Sequence, residues 1–403
     1  MTGGGGVVNI YLLGLVSLLN DLSTEMVYPL LPLYLTSIGA GPAIIGLIEG
    51  LATSVAYFLR VVSGYLADRF GRRKPLVIAG YACGSVSKLL LYAAASWPGV
   101  LAARLVDRFG KGVRTAPRDA LIAEAVPRGR RGSGFGLHRF LDTLGGVAGV
   151  LVAIALLGGS TVVVRSIFLW AAVPAALSLI VLVWVRETGR ARAARNGALD
   201  DQAPVGPRPR PVSPLQALTG WGRLDPRTRA FLIVVFLFGL GNPTVQFLLL
   251  RASWAGFAPA TVLLLYLAYN LAYLLVTYPA GRLSDRIGRR ALLVAGYSFY
   301  TLASLLLAFA RGWAFWPLFC GFGLYIGLTE GVEKALIADA APPEQRATVI
   351  GLHATLTGIG ALPASLLAGF LWAAFGPQAP FLAAAALGGC ASLALVFVLP
   401  RGR

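Results

Sequence analysis

Apolar stretches of about 20 residues recur along the whole chain, and each is long enough to cross a hydrocarbon layer of about 30 Å as a helix. Hydrophobic residues make up 57% of the sequence and charged residues 13%, against roughly 25% charged in ordinary soluble domains. A water-soluble fold of this composition would expose very large apolar patches. The chain is therefore read as an integral membrane protein. In lipid the backbone must satisfy its own hydrogen bonds, and a barrel would show short alternating segments instead. The expected fold class is thus all-α, with twelve transmembrane helices at 7–35, 42–66, 75–96, 98–118, 132–158, 162–186, 229–252, 259–281, 291–310, 313–337, 346–372 and 378–400. The first stretch carries Asp21 and Glu25 and lacks a charged leader, so it is expected to stay as a span and not to be cleaved.

The two halves repeat each other. Residues 120–127 read ALIAEAVP and residues 335–342 read ALIADAAP, an offset of 215 (335 − 120). At the same offset Arg131 falls on Arg346, Gly136-Leu137-His138 on Gly351-Leu352-His353, and Gly145 on Gly360. Upstream, GYLADRFGRRKPL (64–76) returns as GRLSDRIGRRALL (281–293). So long a period excludes a solenoid and points to two domain-sized copies. We expect an N-terminal six-helix bundle (1–186), a linker (187–228) rich in Arg, Pro and Ala, and a C-terminal six-helix bundle (229–403).

The formal net charge is +18, which would suit a nucleic-acid binder if the charge lay on one face. Instead Lys and Arg gather after the even-numbered spans: Arg69, Arg72, Arg73 and Lys74; Arg128, Arg130 and Arg131; Arg186 to Arg210; Arg286, Arg289 and Arg290. The other loops carry Arg165, Arg251 and Arg311. Basic loops stay on the cytoplasmic side, so both termini are expected there, in a plasma (inner) membrane. The expected partners are the lipid bilayer, with anionic head groups near the basic loops, and a small-molecule substrate; no nucleic acid is expected, and a monomer is. Cys83, Cys320 and Cys390 lie in separate spans, in neither a disulfide nor a metal pattern, and read as packing residues.

The repeated loop is a motif in its own right. Gly64, Asp68, Arg69, Gly71, Arg72 and Arg73 return as Gly281, Asp285, Arg286, Gly288, Arg289 and Arg290. Glycine permits a close backbone approach and a tight turn, and the aspartate can accept from a neighbouring helix N-terminus and from arginines. The pattern resembles the signature loop of the major facilitator superfamily, and the resemblance extends to twelve spans, two matched halves and a basic central loop. It implies two pseudo-symmetric six-helix bundles, a substrate near the midplane, and alternating access by rocking halves. It also implies that these twelve loop residues latch a cytoplasmic gate. Arg108-Phe109-Gly110-Lys111-Gly112 resembles the family's R-x-x-Q-G element, with Lys111 in place of glutamine; in proton-coupled members that arginine is tied to coupling. Gly145 and Gly149 resemble half of the antiporter element of span five, with Val150 where proline is usual, which weakens the case for antiport.

Charges inside spans cost about 2.5–3.5 kcal/mol each at mid-membrane. This chain has many, so most must pair, sit near an interface or line water. The candidate substrate and proton cavity residues are Asp21, Glu25, Glu49, Lys88, Arg108, Lys111, Asp142 and Glu330, joined by Asn242 and Gln246. Asp21, Glu25 and Tyr28 share one helical face, and Arg104, Arg108 and Lys111 share another, so an acidic stripe and a basic one are expected to face each other. His138, matched by His353, could carry a proton. Tyr266, Tyr269, Asn270 and Tyr273 add neutral lining.

These features suggest a proton-coupled secondary transporter exporting an organic or amphipathic compound. A symporter or uniporter for an organic anion, a divalent-cation carrier built on Asp21, Glu25 and His138, and a non-transporting sensor stand as alternatives. An enzyme is not expected, nor is a cofactor or a fixed metal; no G-x-x-x-x-G-K-[ST] loop is present to use ATP. If the loop is a gate, Asp68→Asn loosens it: a cysteine reporter beside the loop becomes labelled more readily, and unchanged labelling and transport would remove the gate role.

Overall fold

A computed structural model describes the backbone of residues 3–70, 73–125, 131–157, 162–187, 224–340 and 346–398. Side chains are described throughout these ranges except at 3–7, 65, 68–70, 131–134, 162–163, 278, 281–282, 284–287, 334–335, 337–340 and 346–351. Asp68, Arg69, Gly71 and Arg72, with Gly281, Asp285 and Arg286, lie outside the described side chains, as does nearly all of the linker.

Every secondary-structure element among the described residues is a helix. Helix α1 (Gly3–Val27) passes through a 3-10 turn (Tyr28–Leu30) into α2 (Leu31–Ser37). Then follow α3 (Pro42–Phe70), α4 (Lys74–Ala93), α5 (Trp97–Ala125), α6 (Arg131–Leu156) and α7 (Val162–Trp184). The second half holds α8 (Pro226–Leu240), α9 (Val245–Trp254), α10 (Pro259–Ile287), α11 (Arg289–Phe309), α12 (Phe315–Ala340), α13 (Arg346–Phe375) and α14 (Ala379–Val398). Among the described residues, eleven segments are long and apolar enough to cross a membrane. Helix α5 has the length, at 29 residues, but its charges keep it out of that set. The chain is an integral membrane protein.

Spans one and seven, read from the sequence as continuous, are each interrupted. Span one breaks at Tyr28-Pro29-Leu30, and span seven unwinds over Gly241–Thr244 around Pro243. Pro29 and Pro243 lie at the breaks of the corresponding spans one and seven, 214 residues apart (243 − 29). Proline removes an amide donor and crowds the preceding turn, and the freed groups need other partners inside a membrane. In span seven those partners are visible: the Tyr300 hydroxyl donates to the Gly241 carbonyl at 2.7 Å. Pro117, Pro174, Pro279 and Pro363 lie within unbroken helices, so proline alone does not decide the break.

The chain divides into two compact units. One contains residues 1–28, 55–156 and 162–213, and the other 29–54, 157–161 and 214–403. In the first, α1 packs on α6 and α7, and α4 on α5 and α7. In the second, α8 packs on α13 and α14, and α11 on α12 and α14. The same helices, counted from the start of each half, make the same pairings, as a duplicated sequence requires.

Glycines set the closest of these approaches. A side chain at Gly145 would collide with the Leu18 carbonyl of α1, and one at Gly149 with the Leu22 carbonyl. Gly80 and Gly110 bring α4 and α5 together in the same way, each facing the other's carbonyl. Gly112, the last residue of the R-F-G-K-G element, lies against Ala56 and Leu59 of α3. In the second unit, a Cβ on Gly50 of α3 would lie 3.1 Å from the Leu362 Cα of α13. One turn further on, the Ser54 hydroxyl donates to the Gly358 carbonyl at 2.7 Å.

The described part of the loop motif shows why a glycine recurs there. Gly288 joins α10 to α11 at φ +88°, a conformation that costs other residues but not glycine. In the first copy, the Glu187 carboxylate accepts from the backbone N–H groups of Arg73 (3.0 Å) and Lys74 (2.9 Å), closing the start of α4. Arg73 itself forms an ion pair with Glu124 of α5. Gly149→Val should force α1 and α6 apart and cost about 1–3 kcal/mol, the usual penalty of overpacking. A thermal melt of the purified protein checks this, and an unchanged melting temperature would show that the helices do not meet there.

Candidate functional site

In the first unit α1 meets α5 at Tyr28. The ring of Tyr28, at the break of span one, lies 5.5 Å from the guanidinium carbon of Arg104 and 5.7 Å from that of Arg108, both within cation–π range. One turn along α1, Glu25 packs against Gly146 and Gly149 of α6. Asp21 lies within electrostatic reach of Lys111, Arg114, Glu25 and Asp142. Lys111 is exposed, although it falls within a span.

Behind this face lies a buried ionic knot. Lys88 of α4 donates to Asp107 Oδ1 at 2.9 Å, Ser87 donates to the same oxygen at 3.3 Å, and Arg104 reaches Oδ2 at 3.4 Å. Lys88, Arg104 and Asp107 are 3%, 2% and 6% exposed, so each charge depends on the others for solvation. Arg114, about two turns beyond Asp107 along α5, stacks over the Tyr81 ring at 4.3 Å. Asp142 accepts a short hydrogen bond from Ser17 and lies 3.8 Å from Arg139. Nearby, His138 is buried, and its Nε2 has no partner among the described residues. At the far end of α5, Arg118 and Asp119 pair at 3.0 Å, and Asp119 also meets Arg60 at 3.6 Å.

The second unit solves the same problem with phenols. Asn242, in the span-seven break, donates to the Tyr325 hydroxyl at 2.9 Å. Phe238 stacks on Tyr297 at 3.6 Å and meets Tyr300 edge-on at 5.0 Å. Gln246 is buried at the start of α9. Tyr273 donates to Glu330 at 3.0 Å. Glu333 holds His353 at 2.8 Å and lies 3.5 Å from the Tyr297 hydroxyl. Glu49 is buried in the part of α3 that belongs to this unit, not to the unit of Asp21 and Glu25.

The candidates thus separate by environment. Arg108, Lys111, Asp21 and Tyr28 come together, whereas Lys88 is committed to Asp107. The matched histidines differ in setting: His353 holds a carboxylate, and His138 has none at its Nε2. Sequence reasoning did not reach the Lys88–Asp107 pair, because the two residues lie on different helices and periodicity within one helix gives no signal. The Glu333–His353 pair did have a signal, since Glu333-Lys334 reverses the signs of Arg118-Asp119 at matched positions.

A helical membrane protein made of two units with the same set of helix pairings is the architecture of a transport protein built by duplication. The sequence matches the Major Facilitator Superfamily over residues 13–256 and 244–403, and the chain belongs to that family. It is similar to an uncharacterized MFS-type transporter of Methanocaldococcus jannaschii, 35% identical over 97% of this chain and 94% of that protein. A shorter stretch, 30% of this chain and 29% of the relative, is 36% identical to a class E tetracycline resistance protein of Escherichia coli. Among solved structures, a nucleoside transporter superposes with a TM-score of 0.78 at 14% identity, covering 97% of this chain and 98% of that one. A D-xylose–proton symporter superposes with a TM-score of 0.76 at 15% identity, covering 97% of each chain. Proteins of this family are transporters, not enzymes.

Breaking a buried ion pair by removing one partner costs about 3–5 kcal/mol. Lys88→Met should therefore lower the melting temperature sharply. Adding Asp107→Asn should restore part of the loss, because the stranded charge is gone. Additive losses in the double variant would show that the two residues are not coupled.

Proposed function

We propose that this chain is a secondary active transporter that exports a small organic or amphipathic compound by alternating access, driven by protons. The observation that carries this reading is the pair of carboxylates Asp21 and Glu25 on α1 within two turns of Tyr28, with Tyr28 against Arg104 and Arg108 of α5 and Glu25 against Gly146 and Gly149 of α6. A carboxylate in a low-dielectric span with cations beside it can take up and release a proton as its surroundings change. Export is supported by the partial similarity to the tetracycline resistance protein and to a multidrug resistance protein of Yersinia enterocolitica, 31% identical over 38% of this chain and 36% of that protein. Glu330, with its Tyr273 partner, is a second group able to respond to protonation. The loop arginines and aspartates, with both copies on the cytoplasmic side of an inner membrane, form the gate of this carrier. The bundles 1–186 and 229–403 are its two moving halves.

Proteoliposomes made from the full chain test this. An imposed pH gradient should drive accumulation of tetracycline or ethidium, and collapsing the gradient should abolish it. Asp21→Asn and Glu25→Gln should lose gradient-driven accumulation while keeping part of the exchange. Accumulation that ignores the gradient would remove proton coupling, and full pH dependence in both variants would remove these carboxylates from it.

A further inference from the structure

We propose that the face of α5 beneath Tyr28 binds an oxyanion of the transported compound, a carboxylate or phosphate held by Arg108 with Lys111 beside it. The inference rests on the transport reading above and names the chemistry of its substrate.

Positive charge is left over in this part of the first unit. Lys88, Arg104, Arg108, Lys111 and Arg114 form one network of mutual electrostatic influence with Asp21, Glu25 and Asp107. With every carboxylate ionised, the cations still exceed the anions by two. Protonation of Asp21 or Glu25, which the coupling reading requires, widens the excess. The next carboxylate along, Asp142, is already engaged by Ser17 and Arg139.

The cations are not equivalent. Asp107 is shared by Lys88 and Arg104, and all three are buried together. Arg114 is laid over Tyr81. Arg108 is half-buried on the face shared with Tyr28, and its Nε has no hydrogen-bond partner among the described residues. Lys111, three residues on, is exposed. Glycines flank the pair: Gly110 and Gly112 bring α4 and α3 hard against α5. The helix that carries Arg108 and Lys111 is therefore fixed in place by packing on both sides. A planar fork of donors on a fixed helix, with a point charge one turn away, matches the two oxygens of a carboxylate or the oxygens of a phosphate.

Tyr28 gives the site a link to movement. It sits at the break of span one, where α1 gives way to the 3-10 turn, and its ring touches both arginines. An anion that draws Arg108 away from the Tyr28 ring acts directly on the interrupted part of that span. Interrupted helices at matching places in the two halves are where substrate groups meet backbone in secondary transporters.

The test uses the purified full chain and matched pairs of ligands built on benzene, naphthalene and cyclohexane rings, each as the carboxylate, the phosphate ester and the uncharged carboxamide. Oxyanion members should raise the melting temperature and carboxamides should not. Arg108→Gln should weaken the apparent Kd of the best oxyanion at least tenfold, and Lys111→Gln and Arg108→Lys by a smaller factor. Arg108→Lys retains the charge and covers the case in which Arg108→Gln does not fold. Carboxamides that stabilise as well as the acids, oxyanions that do not stabilise at all, or oxyanion affinity unchanged in the folded Arg108 variant would each overturn the assignment. Phosphatidylglycerol is added alone in a parallel arm; Arg108-dependent stabilisation by this lipid and by no small oxyanion would assign the site to a head group and overturn the substrate role. If ethidium is accumulated on a pH gradient while no oxyanion binds, the transport reading stands and the oxyanion site falls. If oxyanions bind through Arg108 but nothing is accumulated, the site stands and the transport reading falls.

Discussion

Asp107 is the residue on which the first unit turns. A single carboxylate, buried between α4 and α5, holds Lys88 at 2.9 Å and Arg104 at 3.4 Å. In hydrocarbon an unpaired ion is expelled or neutralised, so a span as charged as α5 can exist only if its neighbours supply counter-charge within hydrogen-bond reach. The close approach of α4 and α5 at Gly80 and Gly110 makes that reach possible. Packing and electrostatics are therefore one constraint here: a larger residue at either glycine would strain the pair as well as the helices.

The second unit meets the same demand largely with tyrosines. At its interrupted span the Tyr300 hydroxyl donates to the Gly241 carbonyl, and the Asn242 side-chain amide donates to the Tyr325 hydroxyl. The two copies of one ancestral bundle have thus diverged in chemistry while keeping the same helix pairings.

Much of this was legible in the chain itself. Length and apolarity named the spans, and the ALIAEAVP and ALIADAAP copies announced the duplication. The Asp21–Glu25–Tyr28 and Arg104–Arg108–Lys111 faces were readable because one helix repeats every 3.6 residues. The Gly288 turn was foreshadowed by the recurrence of glycine in both loop copies. The breaks in spans one and seven were not read, even though Pro29 and Pro243 were in view, because Pro117, Pro174, Pro279 and Pro363 lie inside unbroken helices in the same sequence. Near Pro243 a donor from another helix, the Tyr300 hydroxyl, satisfies the Gly241 carbonyl, a contact between helices that no single-helix pattern contains.

By itself, then, the sequence determined that this protein lies in a membrane, that it is a doubled helical bundle, and which side chains each helix presents together. These properties depend on local spacing and on the cost of moving groups from water to lipid. Tertiary structure alone decided which charges are spent on holding helices together and which are left to act. Lys88 and Arg108 look alike as basic residues in apolar spans. One is tied to Asp107 from a different helix and the other faces Tyr28, a difference set by where the glycines allow two backbones to meet, which no single-helix pattern contains.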